Sequence, residues 1–332
     1  MLSNDLLGPW VRRFLMEHLI ADRNLAPNTQ GSYRDLMLQL LPFVAADVKK
    51  SVDRLSLDHV SPDLVRRFLR YLEEDRGCRV STRNQRLAAI HAWARFVGEH
   101  SPQHVAWCTG IRAIPFKKTV QPVMDYLEKA EMDALLAAPD QQTAQGLRDY
   151  SLLLFLYNTG TRASETAQSR IADLDVGPSA SVRITGKGGK IRLCPLWPLT
   201  VSKLIPLIKR RDQHERLFLN RRGQPITRFG IHALVKRCAR QASESIPSLV
   251  KKRVSPHTIR HTTAVHLLRS GVDINTIRAW LGHVSLDTTH VYAEIDLEMK
   301  AKALAHCEIP GPDQTRKKWR DNPGMMEFLR SL

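Results

Sequence analysis

The chain has 332 residues, 43% hydrophobic and 25% charged, which is ordinary for a globular chain and suits about two domains. Its 50 Lys and Arg against 33 Asp and Glu give a net charge of +17, and such an excess points to a polyanionic partner, because each neutralised phosphate releases condensed counterions. The longest strong apolar run, Leu152 to Tyr157, is far short of the roughly 20 residues that span a bilayer, and Met1 to Asp5 lack a signal peptide's basic start, so no membrane partner is expected.

Five widely spaced cysteines, Cys78, Cys108, Cys194, Cys238 and Cys307, contain no C-x-x-C pair. That argues against a disulfide framework and a structural zinc site, and favours a cytoplasmic setting. Aromatic residues make up only 6%, so a double-stranded polyanion is a better match than a base-stacking platform.

Residues 1–112 read as a small helical domain. Leu7, Val11 and Phe14 recur at helical spacing, and Tyr33, Leu36, Met37, Leu40 and Leu41 form one apolar stripe. Ser61-Pro62 starts a third helix that stops near Gly77, and Ser81 is placed to cap a fourth. Arg66, Arg67, Arg70, Arg83 and Arg86 are then left for solvent or phosphate. Residues 113–122 carry prolines and no periodicity, which predicts an extended linker; its Lys117 and Lys118 could follow a phosphate backbone.

From residue 123 the pattern is mostly helical with a small sheet. Helices are expected over 127–136 and 147–157, the second ending at Asn158-Thr159-Gly160. Val182/Ile184 and Ile191/Leu193 alternate around the turn Lys187-Gly188-Gly189, a hairpin signature with glycine where positive φ is needed. Further helices are expected at about 198–210, 228–242, from Ser255-Pro256 to Gly271, 274–281 and 287–305. The fold class is therefore mainly α with a small antiparallel β-sheet in the second domain.

Four segments then stand in order: Thr159-Gly160-Thr161-Arg162-Ala163-Ser164-Glu165, the hairpin Gly186-Lys187-Gly188-Gly189-Lys190, Ser255-Pro256-His257-Thr258-Ile259-Arg260-His261, and Leu281-Gly282-His283 with Tyr292 nine residues later. Taken singly, each has an ordinary reading: a helix-capping arginine, a polar turn residue, a helix N-terminal histidine, a half-buried tyrosine. Their joint order and spacing decide otherwise. Together they resemble the tyrosine recombinases, the phage-integrase family, over nearly the whole chain and most strongly from Tyr157 to Glu165 and from Ser255 to Ala293. Thr161 stands where the family usually carries an apolar residue.

The resemblance implies a two-domain DNA clamp, with a helical SAM-like core-binding domain and a catalytic domain at 123–308. It implies catalytic roles for Arg162, Lys187, His257, Arg260, His283 and the nucleophile Tyr292, with Glu165 in support. It further implies a 3′-phosphotyrosyl intermediate, no cofactor and no metal, core recombination sites in double-stranded DNA as substrate, and a homotetramer at synapsis, with accessory or sister recombinases as further partners. The chemistry fits these residues. Two guanidiniums can clamp a phosphate that gains charge, and a tyrosine of pKa near 10, about one part in a thousand ionised at neutral pH, needs a base. His257 can accept that proton or hydrogen-bond the phosphate. A lysine in a flexible hairpin can protonate the leaving 5′ oxygen, and Lys190 competes with Lys187 for that role. His261 and His290 read as supporting or phosphate-facing.

Two expectations concern the ends. The helical domain starts almost at once, which leaves no room for an extra arm-site-binding domain, and residues 309–332, with Met325, Met326, Phe328 and Leu329, form a tail suited to docking on a neighbouring protomer. The rival readings are a DNA-binding protein that keeps the fold without cutting and a type IB topoisomerase that relaxes one duplex.

Overall fold

The computed structural model describes residues 6–119 and 125–282. Contacts divide the chain after Pro122 into two compact units, each with its own core.

The first unit is all helical. Helix α1 (Leu7–Arg12) continues as wider π-type turns over Arg13–Asp22, followed by α2 (Pro27–Val48), α3 (Pro62–Glu74), α4 (Val80–His100) and α5 (Val105–Arg112). Leu36, Leu40, Phe68, Ile90 and Trp93 are fully buried in one shared core. Ser61 caps α3 as its sequence suggests, accepting a bond from the Leu64 amide (3.2 Å). The capping role expected of Ser81 is not met: α4 begins at Val80, with Arg79 as the flanking residue and no side-chain cap.

Arg83 is a second correction. It is buried rather than left for phosphate, because its guanidinium donates to the Pro115 carbonyl and to Asn84 Oδ1, both at 3.0 Å. Asn84 in turn binds both the amide and the carbonyl of Lys117. The segment expected to be an extended linker thus starts as part of this unit. Ile114 is a core residue, and Pro115 to Lys117 are strapped along α4.

The second unit places helices around a three-stranded antiparallel sheet. Helices α6 (Lys129–Ala137), α7 (Ala144–Thr159) and α8 (Ala163–Gln168) precede strands β1 (Leu174–Asp175), β2 (Ser181–Thr185) and β3 (Ile191–Pro195) in the order β1-β2-β3. Helices α9 (Pro198–Ile208), α10 (Arg228–Ser245), α11 (Pro256–Arg269) and α12 (Ile274–Leu281) follow. The expected helix over 287–305 lies outside the described residues.

Hairpin register decides which residues of β3 face the core. Ile184 pairs with Arg192 and Val182 with Cys194, and partners on adjacent strands share a face. The two apolar alternations therefore lie on opposite faces. Val182 and Ile184 are buried, whereas Ile191 and Leu193 are 62% and 67% exposed. The inward residues of β3 are Arg192 and Cys194.

Helix α7 is buried from Ser151 to Thr159, and its end is a tight junction. Gly160 caps it at φ +59°, and a Cβ there would sit 2.4 Å from Leu281 Cδ2. Asn158 is buried beside it, donating to the Pro195 carbonyl (3.1 Å) and accepting from the Trp197 amide (2.8 Å). Gly160→Ala must combine a left-handed alanine with displacement of a fully buried leucine. We expect urea unfolding to show a loss of about 2–4 kcal/mol.

Candidate active site

The site begins where α7 ends. Thr161 is fully buried, and its hydroxyl lies between those of Thr159 (2.9 Å) and Thr166 (2.8 Å), so a polar residue in an apolar position is satisfied locally. Arg162 comes next, in extended conformation, as the residue before α8, a helix the periodicity does not announce. Its amide donates to Glu165 Oε2 (3.0 Å) and its Nη1 to Oε1 (2.7 Å). This is a reach-back of the kind that acidic residues make in a helix's first turn.

Glu165 holds a second arginine. Arg192 Nη2 donates to Oε2 at 2.7 Å, while Arg192 Nε donates to the Trp280 carbonyl at 2.9 Å. Burial works to raise the carboxyl pKa, but the bonds and charge of Arg192, with those of Arg162, outweigh it. Glu165 is held below the usual carboxylate range and stays ionised. It is placed to hold two cations at once.

Arg260 lies behind this pair on α11. Only 2% exposed, it donates from Nη1 to the Gly160 carbonyl (2.6 Å) and from Nη2 to the Leu281 carbonyl (2.7 Å). It thereby ties together the ends of α7 and α12.

His257 is three residues before Arg260, in the first turn of α11, whose N-terminus is capped by Ser255. Arg162, Ser164, Arg228, Phe229, His232 and His257 line a cleft of about 390 Å³. Arg162 keeps 35% of its side chain exposed there. Burial and the neighbouring charges of Arg260 and Arg162 push the His257 pKa down. His261, one turn further, stacks on it at 6.2 Å, and burial with the His257 and Arg260 charges pushes it down to about 4. At neutral pH both imidazoles are uncharged, so His257 can accept a proton in a cleft whose fixed charges suit an anion.

The hairpin lysines are set by backbone geometry. Lys187–Gly189 form a three-residue turn with Gly188 and Gly189 at φ +74°, closed by the Gly186 amide on the Lys190 carbonyl (2.7 Å). Lys190 is exposed. The side chain of Lys187, and all of His283, His290 and Tyr292, lie outside the described residues. In the other unit Lys118 is exposed and Lys117 Nζ pairs with Glu73 at 2.8 Å. Among the described residues, no group of three or more His, Cys, Asp or Glu side chains is placed to hold a metal ion.

The structure thus places Arg162 and His257 on one cleft, with Glu165 bonded to Arg162 and the buried Arg260 among the charges acting on His257. It adds Arg192, Arg228, Phe229 and His232, which the motifs do not mark. Arg192 could have been found from hairpin register. The others sit on α10, where nothing in the sequence separates them from a solvated helix start.

The catalytic-domain region, residues 125–299, matches the phage integrase family, and residues 11–99 match the phage integrase N-terminal SAM-like domain. The chain belongs to the phage integrase family. Its members, the tyrosine recombinases, break and rejoin DNA strands at specific sites, and this chain is an enzyme of that kind. It is 36% identical to "Putative integrase/recombinase y4rC" of Sinorhizobium fredii, with 100% of each chain covered. It is 31% identical to the tyrosine recombinase XerC of Pelobacter propionicus, covering 92% of this chain and 98% of that one. Its fold is like that of the Tn1549 transposon integrase in complex with circular intermediate DNA, at a TM-score of 0.67 and 18% identity over 90% of this chain and 99% of that one. No helix among the described residues is long and apolar enough to cross a membrane.

The neutral His261 carries a pH signature. Its native pKa of about 4 lies below the ordinary 6.5, so between those values the unfolded chain binds more protons than the folded one. Stability is then full above pH 6.5 and is lost as pH falls towards 4. Urea unfolding over that range should show the decline, with a shallower slope in His261→Gln.

Proposed function

We propose that this recombinase cuts one DNA strand with the Tyr292 hydroxyl, forming a 3′-phosphotyrosyl link and freeing a 5′ hydroxyl that attacks the matching link on a partner duplex. The observation that carries this reading is the cleft in which Arg162 and a neutral His257 converge over the buried Glu165. Arg162 is permanently charged and its exposed part is available to a nonbridging phosphate oxygen. His257 takes the tyrosine proton or bonds the phosphate. Arg260 acts on the same phosphate once its present carbonyl bonds are exchanged, and His283 donates a further bond to the developing charge. The hairpin lysine, Lys187 by its place in the motif, protonates the leaving 5′ oxygen. The link conserves the energy of the phosphodiester, so the reaction needs no nucleotide.

The substrate we infer is a core recombination site in double-stranded DNA, engaged by four copies of the chain on two duplexes. The match along the whole length of a relative named integrase/recombinase supports service to a mobile element, by integration, excision or transposition. The net charge of +17 supports tight, salt-sensitive binding to the duplex.

A trapping assay on nicked duplexes cut from the DNA flanking the gene tests this. Wild type should give a protein–DNA adduct that survives denaturant, and Tyr292→Phe should bind the same DNA without one. Arg162→Ala should slow adduct formation by about 100- to 1,000-fold, the scale for removing one donor to a developing oxyanion. Equal adduct yield from wild type and Tyr292→Phe would overturn the assignment.

A further inference from the structure

A strand residue facing a protein core is normally apolar, because a buried charge costs several kcal/mol in desolvation. β3 breaks this rule. It exposes Ile191 and Leu193 and turns Arg192 inward, where its side chain is only 10% exposed. The surroundings of Arg192 account for the inversion. One guanidinium bonds the Glu165 carboxylate that holds Arg162 and bonds the Trp280 carbonyl near the end of α12. It also packs on Gly282, where a Cβ would come within 3.2 Å of Arg192 Cδ and Nη1. Arg192 stands two residues after Lys190 and five after Lys187, on the arm that leaves the turn. The opposite arm is close as well, since a Cβ on Gly186 would lie 3.5 Å from both Arg192 Nη1 and Glu165 Oε1.

We propose that Arg192 is a positioning residue that locks the lysine-bearing hairpin against Glu165 and the end of α12, and so sets the lysine for proton delivery to the leaving group. This rests on the reading of the hairpin lysine as the acid. In the step concerned the Tyr292 oxygen–phosphorus bond forms, the phosphorus–O5′ bond breaks, and a proton passes from the lysine ammonium to the 5′ oxygen. Arg192 touches none of these atoms. It acts by holding the hairpin whose turn carries the lysine, while Arg162 on the same carboxylate holds the phosphate, so the two share one reference point.

The test compares cleavage of two nicked duplexes carrying the trapped site, one with the normal 5′-bridging oxygen and one with sulfur in its place. A thiolate leaves without a proton, so defects in proton delivery disappear on it while defects in phosphate binding persist. On oxygen, Arg192→Ala and the hairpin-lysine variant (Lys187→Ala or Lys190→Ala, whichever shows the loss) should each fall about 100-fold or more, the usual scale for a general acid. On sulfur both should recover to within a few-fold of wild type, and Arg162→Ala should not. Without DNA, hydrogen exchange at the Gly186 amide should quicken in Arg192→Ala. Arg192→Lys keeps the charge but cannot reach both partners, and it carries the same comparison should Arg192→Ala not fold.

Arg192 variants that stay slow on sulfur while the lysine variant recovers would show that Arg192 serves the phosphate and not the hairpin. Arg192 variants that cleave the oxygen duplex normally would also overturn the proposal. Failure of both lysine variants to recover would instead strike the reading of the lysine as acid, on which this one stands.

Discussion

One carboxylate organises the catalytic unit. Glu165 receives Arg162 from its own helix start and Arg192 from β3, and both bonds are 2.7 Å long. A buried carboxylate or guanidinium alone would be costly, and the pairing removes most of that cost only while all partners keep their geometry. The arrangement therefore specifies positions more than it adds stability. With two arginines on one acid, the cluster remains net cationic, which leaves positive charge at the cleft for an incoming anion.

The same economy recurs at Arg260 and Asn158. Arg260 has carbonyl partners at the ends of two helices, and Asn158 joins α7 to β3 and the start of α9. Residues 158–162 are thus a junction where backbone groups of several elements meet side chains of fixed geometry. Gly160 permits that approach because it has no Cβ to collide with Leu281. The histidines complement the arginines. Burial near guanidiniums keeps His257 and His261 neutral, so the cleft combines fixed positive charge with a proton acceptor.

In the helical unit a similar buried arginine has a different task. Arg83 and Asn84 hold the chain after α5 against α4 through Pro115 and Lys117. The residues that read as an extended linker are restrained at their start because Arg83 and Asn84 satisfy backbone groups of Pro115 and Lys117 that have no helical partner. Lys117 is likewise engaged with Glu73 on the surface, a pairing weak enough in water to yield to a phosphate.

Much was legible from local pattern. The Ser61-Pro62 and Ser255-Pro256 starts, the left-handed Gly160, the glycine turn and the spacing of Arg162, His257 and Arg260 depend on short-range stereochemistry or on motif order, and both are written along the chain. Even the outward turn of Ile191 and Leu193 was implicit, since a three-residue turn at Lys187–Gly189 pairs Ile184 with Arg192. Other features came only from the folded chain. Helix α4 starts at Val80 without the Ser81 cap. Arg83 points inward and Arg192 meets Glu165 from 27 positions away, because each depends on which distant carbonyl or carboxylate the packing brings to about 3 Å. The sequence by itself determined the reaction class and marked the residues proposed to perform it. Tertiary structure alone decided which cations share a carboxylate, because the strength of a buried charge pair is set by distance and desolvation, which no spacing along the chain encodes.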